Sequence, residues 1–448
     1  MRSICSSGYL GVNEVTTGMS YAWARTAALV VAVMIGLLAW VPQPAEAAAK
    51  TKITFWTFLD PSDAAPRSVA QGKIIQDFMN KNPDIEVTVE PVPLFNLDSM
   101  LITATAAGGG PDVVKLFSAW FTQHVKARSV VPLNEFAKEL TAQEKQDFLL
   151  PWDTMSFDGN LLAMFHEHRV RMLWYRKDLL DHAGLRVPKT WDEVGRAGGK
   201  LASDRLIGFA LGLSRKGQAT FFMEWLIPTL WGAGGQLLTE DGKAAFNSEA
   251  GVRAFQLIKD LVTTYKAMPQ SVVGLGEEEL TDGFKAGTVA MMPQGTHRVE
   301  NVRAAKGIGA NLQTAYMPSF TVDKPSPAYT TGQMLAIGTN SKQKEAAWKF
   351  IRHYLSPESQ LLDAKIAGTL PVRKSVYADP WFKTKDAESL VQWKTYIEQY
   401  GRTMRYPEKF SVLQEWLAEA AQQIVVKGDP IKKTLDDVAA RWNAEIGK

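Results

Sequence analysis

Cysteine is nearly absent: the 448-residue chain holds one, Cys5. A disulfide framework, a thiolate-ligated metal and a cysteine nucleophile all need more than this position offers. A charge excess is also missing. Lysine plus arginine is 50 and aspartate plus glutamate is 47, a formal net charge of +3. With no dense basic run either, nucleic acid is not the expected partner. Only one long apolar run occurs, at residues 27–41, so no bundle of membrane-spanning helices is expected and a permease subunit is excluded. The motifs GxSxG, HExxH and GxxxxGK[ST] do not occur. Gly108-Gly109-Gly110 lies between a helical pattern and a strand pattern, the reverse of a dinucleotide fingerprint, and reads as a turn.

The one apolar run has a clear assignment. Arg25 precedes AALVVAVMIGLLAWV, and Ala45-Glu46-Ala47 supplies small residues at −3 and −1 of a cleavage site, so residues 1–47 read as a secretory signal peptide, with Met19 a plausible true start. Its removal leaves 401 residues, takes away Cys5, and removes Arg2 and Arg25 together with Glu14 and Glu46, so the charge stays +3. No cysteine follows the apolar run to carry a lipid anchor. The expected product is soluble and periplasmic.

The remaining length demands more than one core, since single cores rarely exceed ~250–300 residues. Thr51–Leu59, Ile85–Val89 and Val113–Phe117 read as strands, with helices at 66–82 and 96–107 between them, a βαβ sheet. Leu161–Phe165 and Val170–Tyr175 read as two strands able to pair, and Ile207–Gly212, Thr288–Met292 and Gln333–Ile337 as further strands. Thr190 with Glu193 forms a capping box, and helices are expected at 343–354, 357–366, 386–399, 411–427 and 431–445. No Pro/Ser-rich linker separates the two cores. That fits a chain crossing several times between two α/β lobes, or two lobes that simply abut.

Three residue groups invite chemistry. His166 and His168, flanking Glu167, would share one face of a regular strand and could both reach a metal ion, but no third ligand is evident and surface or hydrogen-bonded histidines are the plainer reading. Carboxylates such as Asp60, Asp112 and Glu167 could pair as in glycoside hydrolysis only if folding brings them close. Aromatic residues at element edges, Trp56, Phe58, Trp120, Phe165, Trp231, Tyr316 and Tyr329, carry more information. As a set they suit the C–H faces of a sugar ring, although each alone reads more readily as core packing.

Across residues 52–446 the sequence resembles the extracellular solute-binding proteins of bacterial ABC importers, family 1, the sugar-binding group that includes maltodextrin-binding proteins. The matching segments are ITFWTF at 53–58, FMNKNPDIEVTVEPVP at 78–93, AAGGGPDVVKL at 106–116 and LWYRKDLLDHAGLRVPKTWDEV at 173–194. They continue with WGAGG at 231–235, FKAGTVAMMPQG at 284–295, TTGQMLAI at 330–337, AAWKFIRHYLSPESQ at 346–360 and GTLPVR at 368–373.

The resemblance implies an α/β, two-lobed periplasmic binding protein fold with an interlobe ligand cleft and a hinge. Its amino lobe would be residues 50–157 plus about 315–370, and its carboxyl lobe 158–314 plus about 371–448. It further implies a non-enzymatic monomer without a cofactor or metal, which captures a mono- or oligosaccharide or an acidic sugar derivative and delivers it to ABC permease subunits. A secreted carbohydrate-active enzyme and a ligand-sensing partner of a membrane receptor are the alternatives. Carried onto this chain, the family's ligand contacts fall at Phe58, Asp60, Asp112, Ser118, Trp120, Trp231, Gly232, Gly332 and Arg373, with Asp112 equally suited to capping backbone N–H groups. Two departures add Arg169, in the stretch HEHRVR, and His297, where the family commonly has Trp. Both weaken the maltodextrin analogy and favour, beside a neutral sugar, a ligand bearing carboxylate, sulfonate or phosphate, because arginine offers a fixed fork to such oxygens. Arg402 and Arg405 could reinforce them, and pairing with Glu167 would offset them.

Overall fold

The computed structural model describes residues 49–446, apart from Asp158 and residues 216–219, and without the side chains of Phe95, Trp120, Asp153, Thr220 and Phe221. The expected signal peptide lies outside the described residues. Among those described, no helix is long and apolar enough to cross a membrane.

The strands arise where the pattern called for them. In β1 (Thr51–Thr57) Ile53, Phe55 and Thr57 are buried in alternation, and β2 (Ile85–Pro91) and β3 (Val113–Phe117) flank it in parallel. The helix Pro66–Lys81 starts with proline in its first turn, where the missing N–H costs nothing. It packs with Lys344–Tyr354 and Pro357–Ala367 over this sheet, closing an aromatic core of Phe55, Phe78, Phe350 and Tyr354 with centroids 5.1–6.4 Å apart.

One element departs from the sequence reading. The segments 161–165 and 170–175 do not pair with each other. A two-residue hairpin, β4 (Ser156–Phe157) with β5 (Asn160–Leu161), comes first, and a single 13-residue strand, β6 (Met164–Arg176), follows. No glycine, proline, asparagine or aspartate stands between Phe165 and Val170 to make a turn, so His166–Arg169 stay in the strand, the first three of them buried.

This strand joins two parts of the sheet. The order is β2-β1-β3-β9-β6-β7, with β7 at Met291–Gly295 and β9 at Ala328–Ile337. Residues Met164–Val170 pair antiparallel with β9, and β9 in turn pairs with β3. The continuation Arg171–Arg176 pairs with β7 on one edge and with β8 (Leu312–Ala315) on the other. A short β10 (Gly401–Arg402) joins the start of β9. Beside β7, the expected strand 207–212 does not form: the segment bends at Gly208 and Phe209 and makes an isolated bridge, Ile207 to Val289. The helices Glu249–Thr263, Phe410–Lys427 and Ile431–Ile446 pack on one another, and Thr220–Gly232 packs on the first two. The anticipated capping box is present: Thr190 Oγ1 accepts from Glu193 N at 3.2 Å.

Candidate functional site

The end of β1, the first turn of the Pro66–Lys81 helix and the middle of β6 converge on Glu167. This carboxylate is 2% exposed. Arg169 Nε donates to its Oε1 at 2.5 Å, and Arg67 Nη2 donates to its Oε2. Burial alone would raise the Glu167 pKa, but Arg169, Arg67, His166 and Lys115 together hold it well below the usual carboxylate range. The Arg67 guanidinium lies 5.3 Å from the Phe58 ring centre, and that of Arg169 lies 5.8 Å from Phe117. Burial pulls Arg169 down to about 10 against the pull of Glu167, so it stays charged at neutral pH.

Beneath them Lys115 is 1% exposed on β3. Its Nζ donates to Gln71 Oε1 at 2.8 Å and to the Tyr354 hydroxyl at 3.2 Å, and it faces the rings of Phe55, Phe58 and Tyr354. Burial and Arg67 lower it to about 7, against Glu167 and Asp363. Beyond Arg169, the polar chain continues into the β7 half. Arg171 pairs with Glu224 and, at 3.1 Å, with Glu277; Arg298 pairs with Glu277 at 3.3 Å and with Glu278. His297 stands among these cations. Its ring is held neutral, first by burial and then by Arg169, Arg298, Arg171 and Arg67.

Phe58, Arg169 and His297 are therefore neighbours through this network. The other expected contacts are placed differently. Asp60 is exposed and accepts from the backbone and hydroxyl of Ser62, at 2.8 and 2.6 Å, bonds that lower its pKa. The Asp112 carboxylate accepts from Thr54 N at 2.9 Å and from the Ser341 hydroxyl at 2.5 Å, which ties β1 to the turn after β9. Arg373 donates to Leu355 O at 2.8 Å and to Asp147 at 3.2 Å and lies over Phe148, so its fork is engaged in packing and is not brought together with Arg169. Trp231 is 8% exposed, covered by Arg402 at 4.4 Å from its ring centre and packed edge-to-face with Tyr329. A Cβ on Gly232 would stand 2.5 Å from Ser326 Oγ. The side chain of Trp120 lies outside the described residues.

Ser118 accepts from Gly332 N at 3.1 Å, and with Arg405, Tyr406, Phe121, Phe165 and Thr330 it lines a cavity of about 210 Å³. At Gly332 β6 and β9 approach closely: a Cβ there would lie 2.0 Å from Glu167 O. The histidines behave as buried ring systems. A bulge between Phe165 and Glu167 breaks the alternation, so that His166 packs on Tyr354 and His168 on Phe165. Burial holds both neutral, His168 at about 3. Among the described residues no group of three or more His, Cys, Asp or Glu could hold a metal ion.

Arg67 and Lys115 escaped the sequence reading. Both carried a signal. A cation in the first turn of a helix opposes the macrodipole, and a lysine inside the five-residue buried strand VVKLF needs a buried partner.

A family model described as "Bacterial extracellular solute-binding protein" matches residues 61–361. A binding protein of Brucella abortus (strain 2308) is 25% identical over 301 residues, 66% of this chain and 71% of that one. The arabinooligosaccharide-binding protein of Bacillus subtilis (strain 168) is 23% identical over 346 residues, 75% and 77% of the two chains. Among solved structures, maltose-bound MalE3 of T. maritima superposes with a TM-score of 0.75 at 25% identity, covering 88% of this chain and 99% of that one.

Proposed function

The chain belongs to the bacterial extracellular solute-binding proteins, and on that premise we propose that it captures a sugar or sugar derivative between two lobes and delivers it to the permease subunits of an ABC importer. The fold is the two-lobed α/β fold of these proteins. The observation that carries the proposal is β6, which pairs with β9 over its first half and with β7 and β8 over its second, so one strand runs through both lobes. Such a crossing lets the lobes swing as rigid bodies about a few residues while Arg169 and Arg171 sit at the crossing. The sugars in the names of the B. subtilis and T. maritima relatives support a carbohydrate as ligand.

In this reading residues 50–157 with about 315–370 form one lobe, and 158–314 with about 371–448 form the other. The protein works as a periplasmic monomer and turns nothing over. Closure needs a ligand that binds the closed form more tightly than the open one. The test is titration calorimetry of the mature protein against a carbohydrate panel, followed by small-angle scattering at saturation. Saturable binding with a smaller radius of gyration is expected. An unchanged scattering profile at demonstrated saturation would sink the clamp, and product beyond one equivalent per protein would replace capture with catalysis.

A further inference from the structure

The register of β6 against β9 sorts side chains onto two faces of the sheet. Residues directly opposite each other share a face, so Arg169 with Thr331 and Glu167 with Gln333 fall on one side. Val170 with Thr330, His168 with Gly332 and Phe165 with Met334 fall on the other. The first face carries the pairs of Glu167 with Arg67 and Arg169. The second faces the cavity of about 210 Å³, since Phe165, Thr330 and Met334 all line it. On the lobe division proposed above, the remaining walls come from both lobes, Phe121 and Phe157 from one and Arg405 and Tyr406 from the other. These walls suit a flat ring: Phe121 and Phe157 stand 5.2 Å apart between ring centres, and Phe165 is buried. Two donors line the same space. Ser118 accepts from Gly332 N at 3.1 Å, which leaves its own O–H to donate. Arg405 lies 5.8 Å from the Phe157 ring centre and makes one long bond, to Ser156 O at 3.4 Å. Among the described residues Arg405 is the one charged member of the lining and makes no ion pair. The next acidic residue along the chain, Glu408, is taken by Lys126.

We propose that this cavity is a second ligand site, separate from the sugar site, that takes one aromatic ring bearing a carboxylate, and that its occupant strengthens sugar capture. An apolar cavity of ~150 Å³ is enough to hold benzene, so about 210 Å³ holds one ring with a short substituent. The ring packs against Phe121, Phe157 and Phe165, while the carboxylate meets the Arg405 fork and the Ser118 hydroxyl. Arg405 is exposed, so the carboxylate keeps part of its water and little charge is buried. The coupling rests on the reading that a sugar is captured on the Arg169 face. Because the cavity is lined from both lobes, an occupant fits one disposition of the lobes better than another. The lobes cross at β6 and β9, so a swing about these strands that shuts one face opens the opposite one. In this structure the Glu167 face is shut, with Glu167 2% exposed, and the cavity behind it is open. An occupant therefore favours the shut form that holds sugar, and by linkage the sugar tightens the occupant by the same factor.

The test is calorimetry of the mature protein with benzoate as probe, beside benzyl alcohol, which keeps the ring, and acetate, which keeps the carboxylate. One equivalent of benzoate should bind saturably and roughly 10-fold or more tighter than benzyl alcohol, the ratio a charge-assisted bond supplies, with acetate unbound. Arg405→Gln should abolish the preference for benzoate and leave benzyl alcohol within about 3-fold. Phe157→Ala should weaken both ring-bearing probes together. At benzoate saturation the tightest sugar of the carbohydrate panel should gain about 5-fold or more in affinity. Benzoate alone should also reduce the radius of gyration, a readout that needs no sugar. No saturable benzoate binding, or binding unmoved by Arg405→Gln and Phe157→Ala alike, would overturn the site. Benzoate that weakens the sugar would overturn two cooperating sites, and a sugar affinity unmoved by bound benzoate would overturn the coupling. Benzoate binding without any sugar binding in the panel would remove the sugar reading and leave this cavity as a site.

Discussion

Replacing Glu167 with Gln tests the centre of the site without changing its volume. The substitution leaves Arg67 and Arg169 in place and removes the one charge both of them bind. Removing one partner of a buried ion pair costs about 3–5 kcal/mol, because the remaining charge stays out of water. Unfolding entropy near 60 °C is about 2.1 cal/mol/K per residue, so a mature chain of roughly 400 residues carries about 0.8 kcal/mol/K. Should the two lobes melt together, the midpoint falls by about 4–6 °C. Glu139→Gln is the control, since Glu139 meets Arg352 at 2.9 Å with both side chains largely in solvent, 55% and 41% exposed. Surface pairs contribute little, and a shift below about 1 °C is expected there. Scanning calorimetry at pH 7 reads both variants. A Glu167→Gln midpoint no lower than that of Glu139→Gln would refute the claim that this carboxylate holds two desolvated guanidiniums.

Three further outcomes follow from the same geometry. Gly332→Val forces a side chain into Glu167 O, so it should lose about 1–3 kcal/mol or more in urea denaturation and weaken ligand binding with it; wild-type stability would contradict the close approach of β6 and β9. Arg373→Ala should lower stability by about 1.5–3 kcal/mol, through the bonds to Leu355 and Asp147, and leave ligand affinity unchanged, whereas a selective affinity loss would place Arg373 in the site. Lys115 gives up its proton near pH 7 in the folded protein and near 10.5 when unfolded. Between those values the unfolded chain holds more protons, so raising the pH stabilises the fold through this group. The melting midpoint of the wild type minus that of Lys115→Met should therefore climb from pH 7 to 10, and a flat difference would show that Lys115 titrates normally.

Much of the amino-terminal sheet was legible because its cues are local. The β-branched and aromatic run at Thr51–Leu59, the helically spaced apolar residues of 66–82 and the Thr190 capping box each act within a few residues, and each appears where it was read. Phe58, Arg169 and His297 were also legible as candidates from their own segments. Sequence alone determined most of the elements and the family, and it singled out Arg169 but neither Arg67 nor Lys115 among the cations around Glu167. Tertiary structure decided their partners. Arg67 meets Glu167 across 100 positions, and Lys115 meets Tyr354 across 239. Asp112 and Arg373 are engaged by Ser341 and Asp147, across 229 and 226 positions. The strand β6 stayed whole because β9, β7 and β8 supplied its ladder from more than a hundred residues away, where local propensity says nothing. A side chain's type is a local fact, but which charge it meets depends on strand register, and register is settled only when both faces of the sheet find their cores.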